Sequence, residues 1–217
     1  MAEQNQDAER VDHTDHFEIL ERYGIRAKKS LGQNFLVQDG ILEKIARSVD
    51  IVGKKVLEIG PGYGALTEKL LAHCPSELTL IELDPNMIHI LKDRQKRGEI
   101  AAGETLYIVQ QQDVLTYIPT EPRVIIANIP YYITSPILFH FLYAVEHRPT
   151  DMVILMQREV ADKIRATPKY GHSYLSLACE NATTEIREIM RVAPLNFVPA
   201  PKVESSVLHF KIRSDPS

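Results

Sequence analysis

The strongest constraint on the fold is a glycine-rich turn that follows an apolar segment. Residues 56–64 read Val-Leu-Glu-Ile-Gly-Pro-Gly-Tyr-Gly, and Leu66, Leu70 and Leu71 continue at helical spacing. This order predicts a buried strand, a tight turn and a helix. Glycines in such a turn let a nucleotide approach the backbone closely, and the following helix offers unpaired backbone N–H groups. We therefore predict an α/β domain that binds a nucleotide at this turn.

The turn alone does not identify the nucleotide. Its glycines, with Ala65, fit a loose dinucleotide fingerprint, and Glu82 lies about twenty residues further on, where a ribose-binding acid is expected. A nicotinamide-dependent oxidoreductase is therefore one alternative. Glu58, however, would lie badly beside a pyrophosphate, and Asp113 places a third acid after a predicted strand. Three such acids suit the sulfonium, amino group and ribose of S-adenosylmethionine better, and we predict that cofactor.

The composition limits what can be built around this turn. The chain has 217 residues, of which 44% are hydrophobic and 25% charged, enough for one buried α/β domain with modest extensions. No apolar run approaches the roughly eighteen residues of a membrane-spanning helix, and the N-terminus is too polar for a signal peptide. Cys74 and Cys179 form neither a disulfide framework nor a zinc motif, so we expect a soluble, cytoplasmic protein.

The net charge of −4 is unevenly distributed along the chain. Residues 1–21 carry seven acids and one base, which leaves 22 acids and 24 bases, a net of +2, in residues 22–217. We predict that 1–21 form a disordered acidic tail and that 22–217 form the folded domain. Four basic residues then follow with no acid before Asp39, and such an arm either contacts phosphates or is simply a solvated loop.

Several motifs, in one order, resemble those of the ribosomal RNA adenine N6-dimethyltransferases. This family includes the bacterial small-subunit RNA dimethylases and their macrolide-resistance relatives. The first motif, Lys-Lys-Ser-Leu-Gly-Gln-Asn-Phe-Leu, occupies residues 28–36. The later motifs lie at 58–64, 81–84, 112–113, 128–131, 156–160 and 197–207. Together they extend the resemblance from about residue 22 to residue 213, which makes it far more specific than any single motif.

The resemblance implies a Rossmann-like class I S-adenosylmethionine-dependent methyltransferase. We expect a seven-stranded, mostly parallel sheet with helices on both faces and the last strand reversed. Residues 22–217 would then be the methyltransferase catalytic domain. The family's small C-terminal helical domain is expected to be missing, either through truncation or because the protein is naturally short.

The resemblance also assigns the cofactor site. Glu82 is expected to accept hydrogen bonds from both ribose hydroxyls, and Asp113 one from the adenine amino group. Gly60 would give the backbone clearance that the cofactor needs. For Glu82 and Asp113 the alternative is ordinary helix capping. The whole expected cofactor set is Asn34, Leu36, Gly60, Glu82, Asp113 and Asn128, of which the first two would close a lid.

By the same resemblance, residues 128–131 carry the chemistry. The exocyclic amine of adenine is a poor nucleophile because its lone pair is delocalised into the ring. The side-chain oxygen of Asn128 and the backbone carbonyl of Ile129 would accept its two hydrogens and favour a tetrahedral nitrogen, while Pro130 stiffens the turn. Tyr131 and Phe197 would stack on opposite faces of an extruded adenine, although each could instead be an aromatic core residue.

The implied reaction is the successive transfer of two methyl groups from S-adenosylmethionine to N6 of each of two adjacent adenines. The two adenines would lie in a hairpin near the 3′ end of small-subunit ribosomal RNA, within a maturing small ribosomal subunit. Candidate phosphate contacts are Lys28, Lys29, Arg158 and Lys202. We expect a monomer without metal or membrane partners. Two alternatives remain, a large-subunit adenine methyltransferase that confers macrolide resistance and a non-catalytic RNA-binding assembly factor.

Two departures from the family pattern bear on the substrate. Tyr132 replaces the asparagine that many relatives place after the motif tyrosine. The run 169–176, Lys-Tyr-Gly-His-Ser-Tyr-Leu-Ser, matches a family loop less neatly and carries an extra residue near His172. Which bases flank the target therefore stays open at this stage.

Overall fold

Nine strands occur in the computed structural model, which describes residues 14–214. They are β1 (Phe35–Leu36), β2 (Lys55–Ile59), β3 (Glu77–Glu82), β4 (Leu106–Gln111), β5 (Val124–Asn128), β6 (Asp151–Gln157), β7 (Thr183–Val192), β8 (Phe197–Val198) and β9 (Ser205–Ile212). Seven of them form the central sheet, in the order β4-β3-β2-β5-β6-β9-β7, while β1 and β8 pair with each other. Strand β9 is antiparallel to both of its neighbours, and the other pairings in the central sheet are parallel. The predicted sheet with its reversed last strand is therefore confirmed.

Seven α-helices cover the two faces of this sheet. They are α1 (Thr14–Arg22), α2 (Asp39–Ala46), α3 (Ala65–Ala72), α4 (Pro85–Lys96), α5 (Thr134–Phe139), α6 (Arg158–Ile164) and α7 (Tyr174–Ala182). Between residues 14 and 214, none of the helices has the length and apolar character needed to cross a bilayer.

Alternate residues of the central strands belong to two separate cores. Val56 and the residues beside it on neighbouring strands face α1 to α4. Leu57 and the residues beside it on neighbouring strands face α5 to α7. Because both faces are covered, the central strands are almost continuously apolar, as is usual for parallel sheets. Polar side chains are consequently concentrated at the ends of the strands, where a site can form.

The prediction of a disordered tail was wrong for residues 14–21, which lie in α1. Ile19 and Leu20 are buried in the core beside α2 and α3, and the ring of His16 is buried as well. Apolar residues at helical spacing give this short helix a face to pack, and a count of charges does not detect that spacing. The folded unit therefore includes α1, while residues 1–13 of the predicted tail lie outside the described residues.

Candidate active site

A cleft opens at the carboxyl ends of β2, β3 and β5. It has a volume of about 1060 Å³, counting its open mouth. The chain proceeds from β2 to β3 and β4 on one side and then returns to β5 on the other, so the cleft lies where the strand order reverses. Ligands of open α/β sheets bind at such a point. The lining comes from residues 31–36, 58–63, 65–66, 81–83, 112–114 and 128–133, together with Leu42 and Phe197.

Six of the seven motif segments therefore meet in one place. The exception is 156–160, which does not line the cleft. Segments that are far apart in the sequence converge because parallel strands present their carboxyl ends at one edge of the sheet.

Glu82 ends β3 with a buried, firmly held carboxylate. Its Oε2 accepts a hydrogen bond from the backbone N–H of Gly62 at 3.2 Å, and its Oε1 accepts one from the N–H of Asp84 at 2.9 Å. Burial raises the pKa of Glu82, and these backbone donors oppose that rise. Helix capping, the alternative role, belongs to Asp84, whose side chain accepts from the N–H of Asn86 at the start of α4. Each Glu82 oxygen keeps further acceptor capacity toward the cleft.

Glu58 lies deeper, on β2, and is 1% exposed. The hydroxyl of Thr67 donates to its Oε2 at 2.7 Å. Burial raises the pKa of Glu58 to about 8, and the nearby charge of Glu82 adds to this rise. The carboxyl group is thus largely protonated at neutral pH, since no cation among the described residues pairs with it.

Asp113 lines the cleft and caps a turn, so the capping alternative is observed, and its contact with the adenine of the cofactor stays a prediction. Its Oδ1 accepts a hydrogen bond from the N–H of Leu115 at 3.0 Å, which caps the short 3-10 turn Val114–Thr116. The side chain is exposed, so the cap fixes its direction without enclosing it.

A small two-stranded lid covers one side of the cleft. In the antiparallel pairing of β1 with β8, Phe35 lies opposite Val198 and Leu36 opposite Phe197. The ring of Phe35 packs on the glycine turn so closely that a Cβ atom at Gly62 would lie 3.2 Å from it. Leu36 and Phe197 are buried, and the side chain of Asn34 donates to the carbonyl of Gly32 at 3.1 Å.

The turn 128–131 lies opposite the glycine turn. Gly60 has a φ of +68°, and a Cβ atom there would lie 3.2 Å from the backbone carbonyl oxygen of Asn128. The Asn128 side chain lines the cleft and makes no hydrogen bond within the described part of the chain. Ile129 is buried, and Pro130 has a φ of −56°. The glycine therefore leaves room for this turn as well as for a ligand.

Tyr131 is half-buried at the same edge. Its hydroxyl lies 2.7 Å from the Oγ atom of Ser205, the first residue of β9. Burial raises the pKa of Tyr131, so the hydroxyl stays protonated. Ser205 falls inside the motif 197–207, but nothing in the sequence indicated that it would hold Tyr131.

Two supporting residues were missed entirely. Tyr63, within the glycine turn, is buried, and its hydroxyl lies 3.1 Å from His16 Nδ1 and 3.5 Å from the carbonyl oxygen of Leu36. Arg94 on α4 is 2% exposed and donates to the Tyr63 carbonyl at 2.7 Å and to Glu68 at 2.6 Å. The turn is thus fixed from α1, α3 and α4 at once. The position of Tyr63 inside the motif was the one available signal.

The candidate phosphate contacts differ in their surroundings. Lys28 pairs with Asp84 at 2.7 Å, and Arg158 pairs with Glu204 at 2.5 Å. Both cations thus already have intramolecular partners. Lys202 is exposed and forms no ion pair among the described residues. The side chain of Lys29 lies outside the described part of the structure.

Comparison with protein families gives a match to one model, described as ribosomal RNA adenine dimethylase, over residues 24–217. Curated proteins named ribosomal RNA small subunit methyltransferase A are similar to the chain. The protein from Listeria monocytogenes HCC23 is 38% identical over 92% of this chain and 69% of its own length. The Streptococcus agalactiae A909 protein is 40% identical over 91% of this chain and 69% of its own length.

Solved structures of two methyltransferases are also similar to the chain. A dimethyladenosine transferase from Plasmodium falciparum superposes with a TM-score of 0.71 and 29% identity, covering 80% of this chain and 62% of that one. The 23S rRNA methyltransferase ErmE superposes with the same TM-score and 31% identity, covering 84% of this chain and 71% of its own.

Proposed function

The chain belongs to the ribosomal RNA adenine dimethylase family, and from that premise we propose that it dimethylates N6 of adenines in small-subunit ribosomal RNA, with S-adenosylmethionine as methyl donor. The observation that carries the proposal is the meeting of Glu82, Asp113 and Asn128 at one cleft. Two adjacent adenines in a hairpin near the 3′ end of that RNA are the proposed target.

The residues present fit the cofactor. Gly60 and Gly62 keep side chains out of the space between the glycine turn, the lid and the catalytic turn. Glu82 offers a fixed carboxylate that would hold the ribose hydroxyls, and Asp113 would hold the adenine amino group. Asn34 and the buried Leu36 would close over them. When bound, S-adenosylmethionine supplies an activated methyl group on a sulfonium centre.

The chain's own contribution is to position the target amine. The Asn128 side-chain oxygen and the Ile129 carbonyl would accept the two N6 hydrogens, which turns the nitrogen lone pair away from the ring and toward the methyl group. After each transfer the nitrogen carries an extra positive charge and releases a proton to water, so no strong base is needed. The monomethylated amine keeps one hydrogen, so one of the two acceptors can act again in the second round.

Two rings would hold the base in place. Tyr131, fixed through Ser205, and Phe197, fixed in the lid, both border the cleft. Stacking between them would compensate part of the free energy that is needed to extrude an adenine from its RNA. In this arrangement closure of the lid over the cofactor and sandwiching of the base involve the same short strand, β8.

The small subunit is preferred over the large one as the target. Relatives named for the small subunit are 38% and 40% identical to the chain, whereas the large-subunit enzyme ErmE is 31% identical. A purely binding role is disfavoured because the Asn128 amide, Glu82 and Asp113 are all retained in the cleft.

The substrate is tested by methyl incorporation from labelled S-adenosylmethionine. We expect label in under-methylated small ribosomal subunits, recovered as N6,N6-dimethyladenine, and none in bare large-subunit RNA. Label found solely in the large-subunit RNA would instead indicate a large-subunit adenine methyltransferase that confers macrolide resistance. No label in either RNA, with the cofactor still bound, would support the binding role instead.

We further propose that the protein acts in the cytoplasm as a monomer, without a metal. The exposed Cys74 and the buried Cys179 are both free thiols, which suits a reducing compartment. Sedimentation of the free protein at increasing concentration tests whether the protein remains monomeric.

A further inference from the structure

An exposed aromatic patch lies outside the cleft, on the face of the sheet that α5 and α7 cover. We define it as Phe139, Tyr143, Tyr174 and Leu177. The rings of Phe139 and Tyr174 are stacked, with centroids 5.7 Å apart and planes 20° apart, and Tyr143 lies 6.2 Å from Phe139. Tyr174 is 81% exposed, and Leu177, on the same side of α7, is 48% exposed. A contiguous apolar surface of this kind marks a binding site more often than a lone exposed side chain does.

Two lysines lie near the patch, Lys163 in the last turn of α6 and Lys169 in the segment that joins α6 to α7. The Nζ atoms of Lys163 and Lys169 lie 5.5 and 4.8 Å from the ring centroid of Tyr170. Lys163 is also paired with Glu159 at 2.8 Å, whereas Lys169 forms no ion pair among the described residues. Tyr170 and Tyr174 are four residues apart, so their Cα atoms lie within about 14 Å. Lys169 is therefore an exposed cation near the border of the patch, and the carboxylates of Glu159 and Asp162 act on its charge without pairing with it.

The patch is joined to the catalytic side of the cleft by helix α5. Helix α5 begins directly after the turn 128–131, and Phe139 lies about 7.5 Å along its axis from the first residue, Thr134. Helix α6 begins where β6, the neighbour of β5, ends. Both helices pack on the same core, through Leu138 and Ile164. Helix α5, which carries Phe139, therefore starts at the rim of the cleft, where Ile133 is part of the lining.

We propose that the aromatic patch and Lys169 bind single-stranded RNA next to the target adenine. Exposed ring faces accept stacked bases of any sequence, and the free ammonium group suits a phosphate. An enzyme that extrudes one base gains from holding the neighbouring nucleotides, because they would otherwise restack. This inference rests on the proposed function. It also gives a role to the run 169–176, which departs from the family pattern.

The test is RNA affinity, measured by fluorescence anisotropy with the full chain. The probe is a labelled RNA hairpin that has two adjacent adenines in its loop and a single-stranded 3′ extension. We expect Tyr174→Ala to raise the Kd about tenfold, the loss of roughly one stacked base. Tyr174→Phe, which keeps the ring, should leave the Kd unchanged. Thermal unfolding and the affinity for S-adenosylhomocysteine should be the same in both variants, which excludes misfolding.

The charge is tested separately. Lys169→Gln should reduce the slope of log Kd against log salt concentration by about 0.7, the value for one phosphate contact on a single strand. The matched control is Lys96→Gln, an exposed lysine on α4 on the opposite face of the sheet, which should leave the slope unchanged.

An unchanged Kd in Tyr174→Ala would overturn the proposal. The same holds if that variant binds RNA normally but alters self-association in sedimentation, since the patch would then be a protein interface. The proposed function fails in a different way. If the wild-type protein binds the hairpin through Tyr174 but methylates no small-subunit RNA, the patch survives and the reaction is wrong. If it methylates and Tyr174→Ala has an unchanged KM, the reaction survives and the patch is wrong.

Discussion

At the scale of single residues, the site depends on a few positions where one atom more or one charge more cannot be accommodated. Gly60 and Glu58 are the clearest cases, because the first lies against the carbonyl of Asn128 and the second is buried with no cationic partner in the described part of the chain. Each makes a prediction that a matched variant can isolate.

Gly60→Ala combines backbone strain with a clash. The left-handed backbone at Gly60 costs any other residue about 1–2 kcal/mol, and the new methyl group would also press on the Asn128 carbonyl. Gly98→Ala has similar strain, with a φ of +77° and nothing within 4 Å of the added atom. We therefore expect both variants to lose stability in urea unfolding, Gly60→Ala the more because of its clash, and Gly60→Ala alone to lose methyl transfer. Equal activity in the two variants would show that the contact with Asn128 has no role.

Glu58 makes the stability of the protein depend on pH. Its pKa is about 8 in the folded chain and near 4.5 when unfolded, so the folded state keeps a proton that the unfolded state releases. The stabilisation from this proton is complete below about pH 4.5 and is lost as the pH rises through 8. Glu58→Gln cannot ionise. We therefore expect the free energy of unfolding of this variant to rise relative to wild type between pH 5 and 8, by about 1.4 kcal/mol per pH unit. Parallel pH curves for the two proteins would contradict this account.

At the scale of elements, two small elements outside the central sheet support the cleft, namely the β1–β8 pair and helix α1. The lid of β1 and β8 joins the first motif to the last one, and α1 supports the glycine turn through His16 and Tyr63. Neither element is large, yet each contacts the cleft directly or through one residue.

The contribution of α1 can be measured by shortening the chain. A chain that begins at residue 14 keeps the helix, whereas one that begins at residue 23 loses the buried Ile19 and Leu20 and the contact of His16 with Tyr63. Burial of one such side chain is worth about 1.5–3 kcal/mol. We expect the shorter chain to have a lower Tm and weaker affinity for S-adenosylhomocysteine, as measured by calorimetry. If the two chains are indistinguishable, α1 does not support the turn.

The sequence predicted those features that depend on neighbouring residues or on a periodic spacing of apolar residues. The strand, glycine turn and helix at 56–71 follow from the spacing of apolar residues, and the resemblance placed the acids of β2, β3 and β4 at one edge. Pairing of β1 with β8 could not be predicted, because two-residue strands have no periodicity and join residues distant in the sequence. The same reason hides the contacts of Arg94 with Tyr63 and of Ser205 with Tyr131. Helix α1 was hidden differently, since its acids masked the spacing of its apolar residues.

At the scale of the whole molecule, the proposed sites for cofactor and target adjoin because the sheet reverses its strand order at the cleft. Acids from β2 and β3 lie on one side of that point and the turn after β5 on the other. The lid covers the cleft, and helix α5, which carries part of the aromatic patch, begins at its rim. Methyl transfer is therefore expected to depend on Asn128.

The most direct test is the rate at which wild type and Asn128→Ala form N6,N6-dimethyladenine in under-methylated small subunits. Cofactor is raised until the rate saturates, so that any change in cofactor affinity is removed. Asn181→Ala, an exposed asparagine on α7, is the matched control. We predict a loss of about 100-fold or more for Asn128→Ala, as for other misplaced reactants, and none for the control. A saturated rate equal to wild type in Asn128→Ala would contradict the account, because the amine would then be positioned by other groups.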